Sequence, residues 1–297
     1  MRAFPAVLIS AVIIVAGVGC GRSSRGSTAR HSAPQASTVP TVTAATVARR
    51  GAPTPARRHA HAAAPASTDP KPAQPRHRLP LEGKVVGIDP GHNGLNYTDP
   101  SFLAHLIWNG REQETCDTTG TETDGGYTEP RFNFNVATYL ASDLRAEGAK
   151  VVLTRTSDAG VGPCVTARAQ IINRAHADVA IDIHADGGPA GGRGFTVLEP
   201  VADGPNDRVI AASRAFGRDL LAGYRAMTGM PLSTYDGVGG VAPRDDLAGL
   251  NLTTVPKVLI ECGNMRNAAD ASLLVSTSFQ KLAAKAFAQA IARYLGP

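Results

Sequence analysis

The chain is most informative where residue types are missing. Residues 21–80 contain no Phe, Trp, Tyr or Ile, and one acidic residue, Asp69. A segment lacking those side chains cannot bury enough apolar surface to offset the entropy of ordering it. A folded module there is excluded. Its nine prolines and its many Ala, Ser and Thr predict a disordered Pro/Ala/Arg-rich tether, partly extended. Among its histidines, His59, His61 and His77 are too loosely spaced for a metal tract and read as solvated linker residues. Residues 81–297 lack a basic excess. They hold nineteen Lys/Arg against twenty-four Asp/Glu, whereas residues 21–80 hold ten Lys/Arg. The overall charge of +5 therefore arises outside the part able to fold. That excludes a nucleic-acid-binding domain, which needs Lys and Arg clustered on a folded surface. The basic tether suits an acidic envelope polymer, or simply solubility; composition leaves both open. No internal repeat is visible.

The N-terminal apolar run, Ala3–Val18, is broken by Ser10. It is short for a membrane span, which needs roughly 20 apolar residues. With Met1-Arg2 before it and small residues after it, it reads as an export signal over residues 1–20. Gly17-Val18-Gly19-Cys20 resembles a bacterial lipobox, with Gly17 where Leu is usual. Lipidation of Cys20 and plain cleavage stand as equal readings.

The span 81–297 suits one compact domain. Strands are predicted at Lys84–Asp89, Lys150–Thr154, Asp178–His184, Gly194–Glu199 and Lys257–Glu261, and helices over 131–147, 165–177, 207–227 and 276–295. Gly148 stops the first helix. Strands alternating with helices predict an α/β fold: a single-domain, mostly parallel (mixed) twisted sheet with helices on both faces. In such sheets ligands bind beyond the carboxyl ends of the strands. Three strands run out there into polar groups, at Asp89-Pro90-Gly91-His92, His184-Ala185-Asp186 and Glu261-Cys262-Gly263-Asn264. Glu129 opens the first helix beside Pro130. Of the domain's four histidines, His105 lies in a loop and His176 late in a helix, away from that edge.

Two His and two Glu at one edge suit a catalytic zinc site with three protein ligands and an open fourth position. The remaining carboxylate can serve as general base and acid. Each residue also has a plainer reading: a turn histidine, a core histidine, a charge at a helix N-terminus, an arginine partner. Their joint placement at one edge favours the site.

Several ordered segments carry a family resemblance. Val86-Gly-Ile-Asp-Pro-Gly-His-Asn-Gly94 resembles the opening motif of the amidase-3 type of zinc-dependent N-acetylmuramoyl-L-alanine amidases. Val152-Leu-Thr-Arg-Thr-Ser-Asp158 is similar to their "TR..D". Arg168 through Asn173 to Ala177-Asp178 is similar to "R...aN..AD". Ile183-His-Ala-Asp186 resembles "SIHaN", with Asp for Asn. Val255 to Asn264 resembles "vPavLvE.GF", with Asn264 for Phe, and Asn267 follows where the family has Asn. The overall style is most similar to the small mycobacterial members.

The resemblance implies a phosphorylase/hydrolase-like architecture and one Zn2+ held by His92, Glu129 and His184. It implies that Glu261 is the catalytic carboxylate. The bond cut would join the lactyl group of N-acetylmuramic acid to L-alanine of the stem peptide, in cell-wall remodelling or fragment recycling. The implied partner is peptidoglycan or its muropeptides. No nucleic acid is expected, the membrane is met only through the signal or a lipid on Cys20, and the chain is expected to act as a monomer, exported to the periplasm or cell envelope. Asp89 and Asp186 are candidates to orient the ligands, with turn capping as the alternative. Two competing functions remain: a non-catalytic peptidoglycan-binding or regulatory domain, and another zinc hydrolase of the same polymer. The retained ligand set argues against the first, the motif order against the second. No appended wall-binding module is recognisable, so small fragments are the expected substrates.

Export permits a disulfide. With Cys20 at the processing site and Cys262 in a strand, Cys116–Cys164 is the expected pair, free thiols being the alternative. Cys262, adjacent to Glu261 on a strand, faces away from it and is read as a buried structural thiol. The long insertion Leu95–Thr128 lies between His92 and Glu129, so part of it is expected to form a rim or flap over the site.

Overall fold

The computed structural model describes residues 78–296. The export signal, Cys20 and most of the tether lie outside the described residues. In chain order the elements are β1 (Val85–Pro90), α1 (Pro100–Leu103), β2 (Leu106–Trp108), β3 (Gln113–Thr115), α2 (Glu129–Ala146), β4 (Lys150–Leu153), α3 (Val165–Arg174), β5 (Val179–Asp186), β6 (Thr196–Pro200), α4 (Ile210–Thr228), β7 (Val241–Arg244), α5 (Ala248–Asn251), β8 (Lys257–Asn264), α6 (Ala268–Leu274) and α7 (Thr277–Leu295). The main sheet has six strands in the order β4-β1-β5-β8-β6-β7. The first four run parallel, β6 is antiparallel to β8, and β7 is parallel to β6. The sheet is thus mixed and mostly parallel, with helices on both faces.

Strand alternation sorts the side chains. Val86 and Ile88 of β1, Val179, Ile181 and Ile183 of β5, and Val258, Ile260 and Cys262 of β8 enter the main core with α2, α4 and α7. There Tyr224 stacks on Phe287 at 5.3 Å and meets Phe195 edge-on at 4.8 Å. Its hydroxyl donates to the Cys262 carbonyl at 2.8 Å, satisfying a polar group in an apolar place. Cys262 is free and buried. The other face carries two smaller clusters. Ala180 packs with Ile172 of α3, and Leu259 with Leu250 of α5. The alternate positions of β1, β5 and β8 send Asp89, Asp182, His184, Lys257 and Glu261 to that second face.

Several boundaries differ from the sequence expectation. α2 begins two residues early, at Glu129, since Pro130 is tolerated in the first turn. Gly148 follows α2 with φ +94°, as a stop should. α3 ends at Arg174, so His176 lies beyond the helix, with φ +49°. β5 and β8 continue to Asp186 and Asn264, because pairing with neighbours carries them past the apolar run. The elements β7, α5 and α6 were not anticipated; each is short. The insertion is also ordered: β2 and β3 form an antiparallel hairpin, held by Asn109 Nδ2 on the Asp246 carbonyl (3.2 Å) and by Ala248 N–H on Glu114 (3.2 Å).

Cys116 and Cys164 are joined as a disulfide, their Cα atoms 4.9 Å apart. The bridge closes a separation of 48 residues and fastens the insertion, just after β3, to the start of α3. Closing a loop of that length removes entropy from the unfolded chain. Reduction should therefore lower unfolding stability by roughly 2–4 kcal/mol, read by chemical denaturation with and without reductant. Intact-mass alkylation should modify Cys116 and Cys164 only after reduction; modification without reductant would show free thiols.

Candidate metal centre

His92, Glu129 and His184 converge at the carboxyl edge of the sheet, each offering a ligand atom within 4.8 Å of the others. His92 follows β1, Glu129 opens α2 and His184 lies on β5. Nε2 of His92 is 3.4 Å and Nδ1 of His184 is 2.8 Å from the same Glu129 oxygen, Oε1. The two rings stand edge to face, their centroids 4.9 Å apart. His92 sits at φ +56°, a region few non-glycine residues occupy. Arg168 holds that turn by donating to the His92 carbonyl at 2.7 Å. Gly91 is required for a different reason: a Cβ there would lie 2.1 Å from the His184 ring.

Behind the imidazoles, carboxylates face the outward ring nitrogens. Asp117 Oδ1 is 2.9 Å from His92 Nδ1. Asp182 Oδ1 makes an electrostatic contact with His184 Nε2 at 3.4 Å. A carboxylate behind a ligating histidine fixes the tautomer and raises the basicity of the nitrogen in front. Burial opposes a charge on His92, yet the Glu129 charge and the Asp117 contact outweigh it and push its pKa up to about 9. Burial opposes a charge on His184 too, and Asp182 with Glu129 raises it well above the ordinary range. Burial would raise Glu129, but the two histidines hold it well below the carboxylate range. The site therefore draws positive charge. Two imidazole nitrogens and a carboxylate oxygen, backed by two further carboxylates, fit a divalent metal.

Glu261 is the register partner of His184 on the neighbouring strand. Its Oε2 is buried and has no hydrogen-bond partner. Burial, with Glu129 and Asp186 nearby, pushes the carboxyl up to about 8 against the pull of the histidines. That value is for the metal-free site; a cation held by the neighbouring ligands would draw the carboxyl back towards the ionised form that a general base needs. Glu261 opens onto a cleft of about 320 Å³ with Asp186, Tyr235 and Arg244. A second cleft, of about 500 Å³, lies on the β1 side, lined by Asn93, Tyr97 and the Thr119–Glu122 segment.

The four residues singled out from sequence thus lie together. The carboxylates that face the two rings directly are Asp117 and Asp182, not Asp89 or Asp186. Asp89 instead accepts from Thr154 Oγ1 at 2.6 Å and Arg168 Nη1 at 3.1 Å, while Asp186 faces the Tyr235 cleft. Asp182 was legible in principle, since strand alternation puts it on the face of His184. Asp117 carried no local signal. The insertion forms a rim: Thr121 N–H donates to Glu129 Oε2 at 2.9 Å, and a Cβ on Gly120 would meet Glu129 at 2.7 Å. Asn264, in place of the expected Phe, ties down the loop between β5 and β6 by donating to the Pro189 and Gly192 carbonyls, both at 2.8 Å.

Metal and protons compete for the same nitrogens. A histidine with a raised pKa stabilises the metal-free fold below its unfolded value of about 6.5, and that contribution is lost as pH rises through about 9. Apparent affinity for a divalent metal should therefore rise from pH 6 to pH 9 with proton release, measurable by calorimetry in buffers of different ionisation enthalpy. A flat profile would remove the histidines from the ligand set. Gly91→Ala should displace the His184 ring and lower the metal retained after dialysis while far-ultraviolet dichroism is unchanged.

Comparison with known proteins bears on this geometry. The family model described as N-acetylmuramoyl-L-alanine amidase (Amidase_3) matches residues 86–293. The N-acetylmuramoyl-L-alanine amidase Rv3717 of Mycobacterium tuberculosis is 37% identical over 221 residues, covering 72% of this chain and 88% of that protein. Among solved structures, the N-acetylmuramyl-L-alanine amidase Ami1 of Mycobacterium smegmatis matches at TM-score 0.68 and 37% identity, covering 72% of this chain and 98% of that one. Ami1 of Mycobacterium abscessus matches at TM-score 0.66 and 39% identity, covering 73% and 100%. The match spans every element that builds the His92, Glu129 and His184 cluster, and the chain belongs to the N-acetylmuramoyl-L-alanine amidase family.

Proposed function

We propose that the chain hydrolyses the amide between the lactyl group of N-acetylmuramic acid and L-alanine of peptidoglycan stem peptides, with zinc held by His92, Glu129 and His184. The observation that carries this reading is the meeting of those three residues with Glu261 on the adjacent strand. Zinc bound there supplies polarisation of the scissile carbonyl and a water acidic enough to ionise near pH 7. The Asp117 hydrogen bond to His92 Nδ1 and the Asp182 charge 3.4 Å behind His184 Nε2 favour the orientation that turns the opposite ring nitrogens inward. Glu261 accepts the proton of the attacking water and hands it to the leaving nitrogen. A C–O bond forms as the C–N bond breaks, leaving a muramic acid carboxylate and a stem peptide with a free amino end. Because Glu261 delivers that proton, the peptide leaves on the side of the cleft shared with Asp186, Tyr235 and Arg244.

The same reading sends the enzyme to the cell envelope, exported by residues 1–20, with the basic segment 21–80 linking the processing site to the catalytic domain and with lipidation of Cys20 and plain cleavage as the two readings of that site. Mass spectrometry of the mature N-terminus tests the last point.

A digest of defined muropeptides, followed by mass spectrometry, should release the intact stem peptide from the sugar. Glu261→Gln should lower kcat by about 10²–10⁴-fold while zinc is retained, and chelation should abolish cleavage until zinc is restored. Release of a terminal amino acid or of acetate would point to another hydrolase; binding without cleavage would point to a non-catalytic domain.

A further inference from the structure

Beneath the metal centre lies a group of buried charges of which the reaction described above uses only Asp117 and Asp182. Lys257 is 1% exposed, at the start of β8 on the same face as Glu261. Its ammonium donates to Asp89 Oδ2 at 2.8 Å and lies 3.0 Å from Asp182 Oδ2. Asp182 Oδ1 then faces His184 Nε2. On its other side Asp89 receives Arg168 Nη1 at 3.1 Å, and Arg168 Nη2 reaches Asp117 Oδ2 at 3.3 Å. Asp117 Oδ1 faces His92 Nδ1. The charges form one chain, His92–Asp117–Arg168–Asp89–Lys257–Asp182–His184, with its two ends behind the two metal-site imidazoles. Every carboxylate between the histidines has a cationic partner. α5 closes over the Lys257–Asp182 pair: a Cβ on Gly249 would lie 3.3 Å from Asp182 Oδ2 and 3.4 Å from Lys257 Nζ.

We propose that Lys257 is a positioning residue for the metal site, acting through Asp182 on His184 and, through the Asp89 it shares with Arg168, on His92. Three features support a positional role. First, Lys257 is 168 residues from Asp89 in sequence and touches no ligand itself, so its influence passes through the carboxylates. Second, Asp182 Oδ1 has no hydrogen-bond donor, so without the ammonium on its other oxygen Asp182 would be a buried anion with little to hold it in place. Third, a buried ion pair seldom adds net stability over apolar side chains of the same volume, whereas loss of one partner leaves an uncompensated charge. Such a cluster is better explained by the geometry that it fixes than by the stability that it supplies. The inference rests on the proposed ligand set, and its test reads metal affinity as well as turnover.

The test uses the full chain and zinc itself, with the dissociation constant measured by competition against a chromophoric chelator. Lys257→Met removes the charge at similar length. It should weaken zinc binding by about 10–100-fold, the effect typical of losing an outer partner of a ligand, while KM at saturating zinc is unchanged. Asp182→Asn should weaken binding similarly alone, but add little in the Lys257→Met background, because each acts through the other. The double variant buries a neutral pair and keeps the comparison available should Lys257→Met fold poorly. A zinc constant within twofold of wild type in either Lys257 variant, with only the melting temperature lowered, would overturn the proposal. So would strictly additive effects of the two substitutions. Failure of wild type to bind zinc at all would instead overturn the proposed ligand set.

Discussion

Asp89, itself buried, accepts from Thr154, Arg168 and Lys257, and much of the site hangs on that arrangement. Burial would raise its pKa, but the ammonium and guanidinium beside it hold the carboxylate far below its ordinary range. Ion attraction and hydrogen bonding there must offset the cost of desolvation. Asp89 also sits at the end of β1, one residue before the Pro90-Gly91-His92 turn. Arg168 donates to the Pro90 and His92 carbonyls as well as to Asp89. The side chain that balances the buried charge thus holds the backbone that presents His92.

The sheet order explains why four residues far apart in sequence become neighbours. β1, β5 and β8 lie side by side and parallel, so their carboxyl ends open on one edge. α2 packs on the other face and projects Glu129 from its first turn into that edge. The apolar core under α2, α4 and α7 keeps the three strands in register, and strand alternation turns the polar residues away from it. The hydrophobic side of the sheet and the charged side are therefore two consequences of one pattern.

The insertion completes the centre. It brings Asp117 to His92 and Thr121 to Glu129, and the Cys116–Cys164 bridge fixes the stretch after β3 beside Arg168's helix. Arg155, of the segment that resembles the family's "TR..D", donates to the Pro90, Gly91 and Pro130 carbonyls. It braces the two turns that carry His92 and Glu129. Motif residues here are largely scaffold for the ligands.

The sequence alone determined the class of fold, the face each strand residue takes, and the edge at which His92, Glu129, His184 and Glu261 meet. These follow from local periodicity and from the rule that places ligands beyond strand ends, both written in short stretches of chain. Asp89 and Asp186, the carboxylates nearest the histidines' strand ends in sequence, are not the ones that face the rings, because nearness in sequence is a poor guide to which carboxylate meets a side chain in space. Tertiary structure decided that Asp117 and Asp182 face the rings, that Lys257 and Arg168 join them, and that the insertion is an ordered rim. Those contacts span up to 168 residues and depend on how strands and loops are stacked. Coulomb attraction between buried groups is set by distance in space, which no local pattern of residues records.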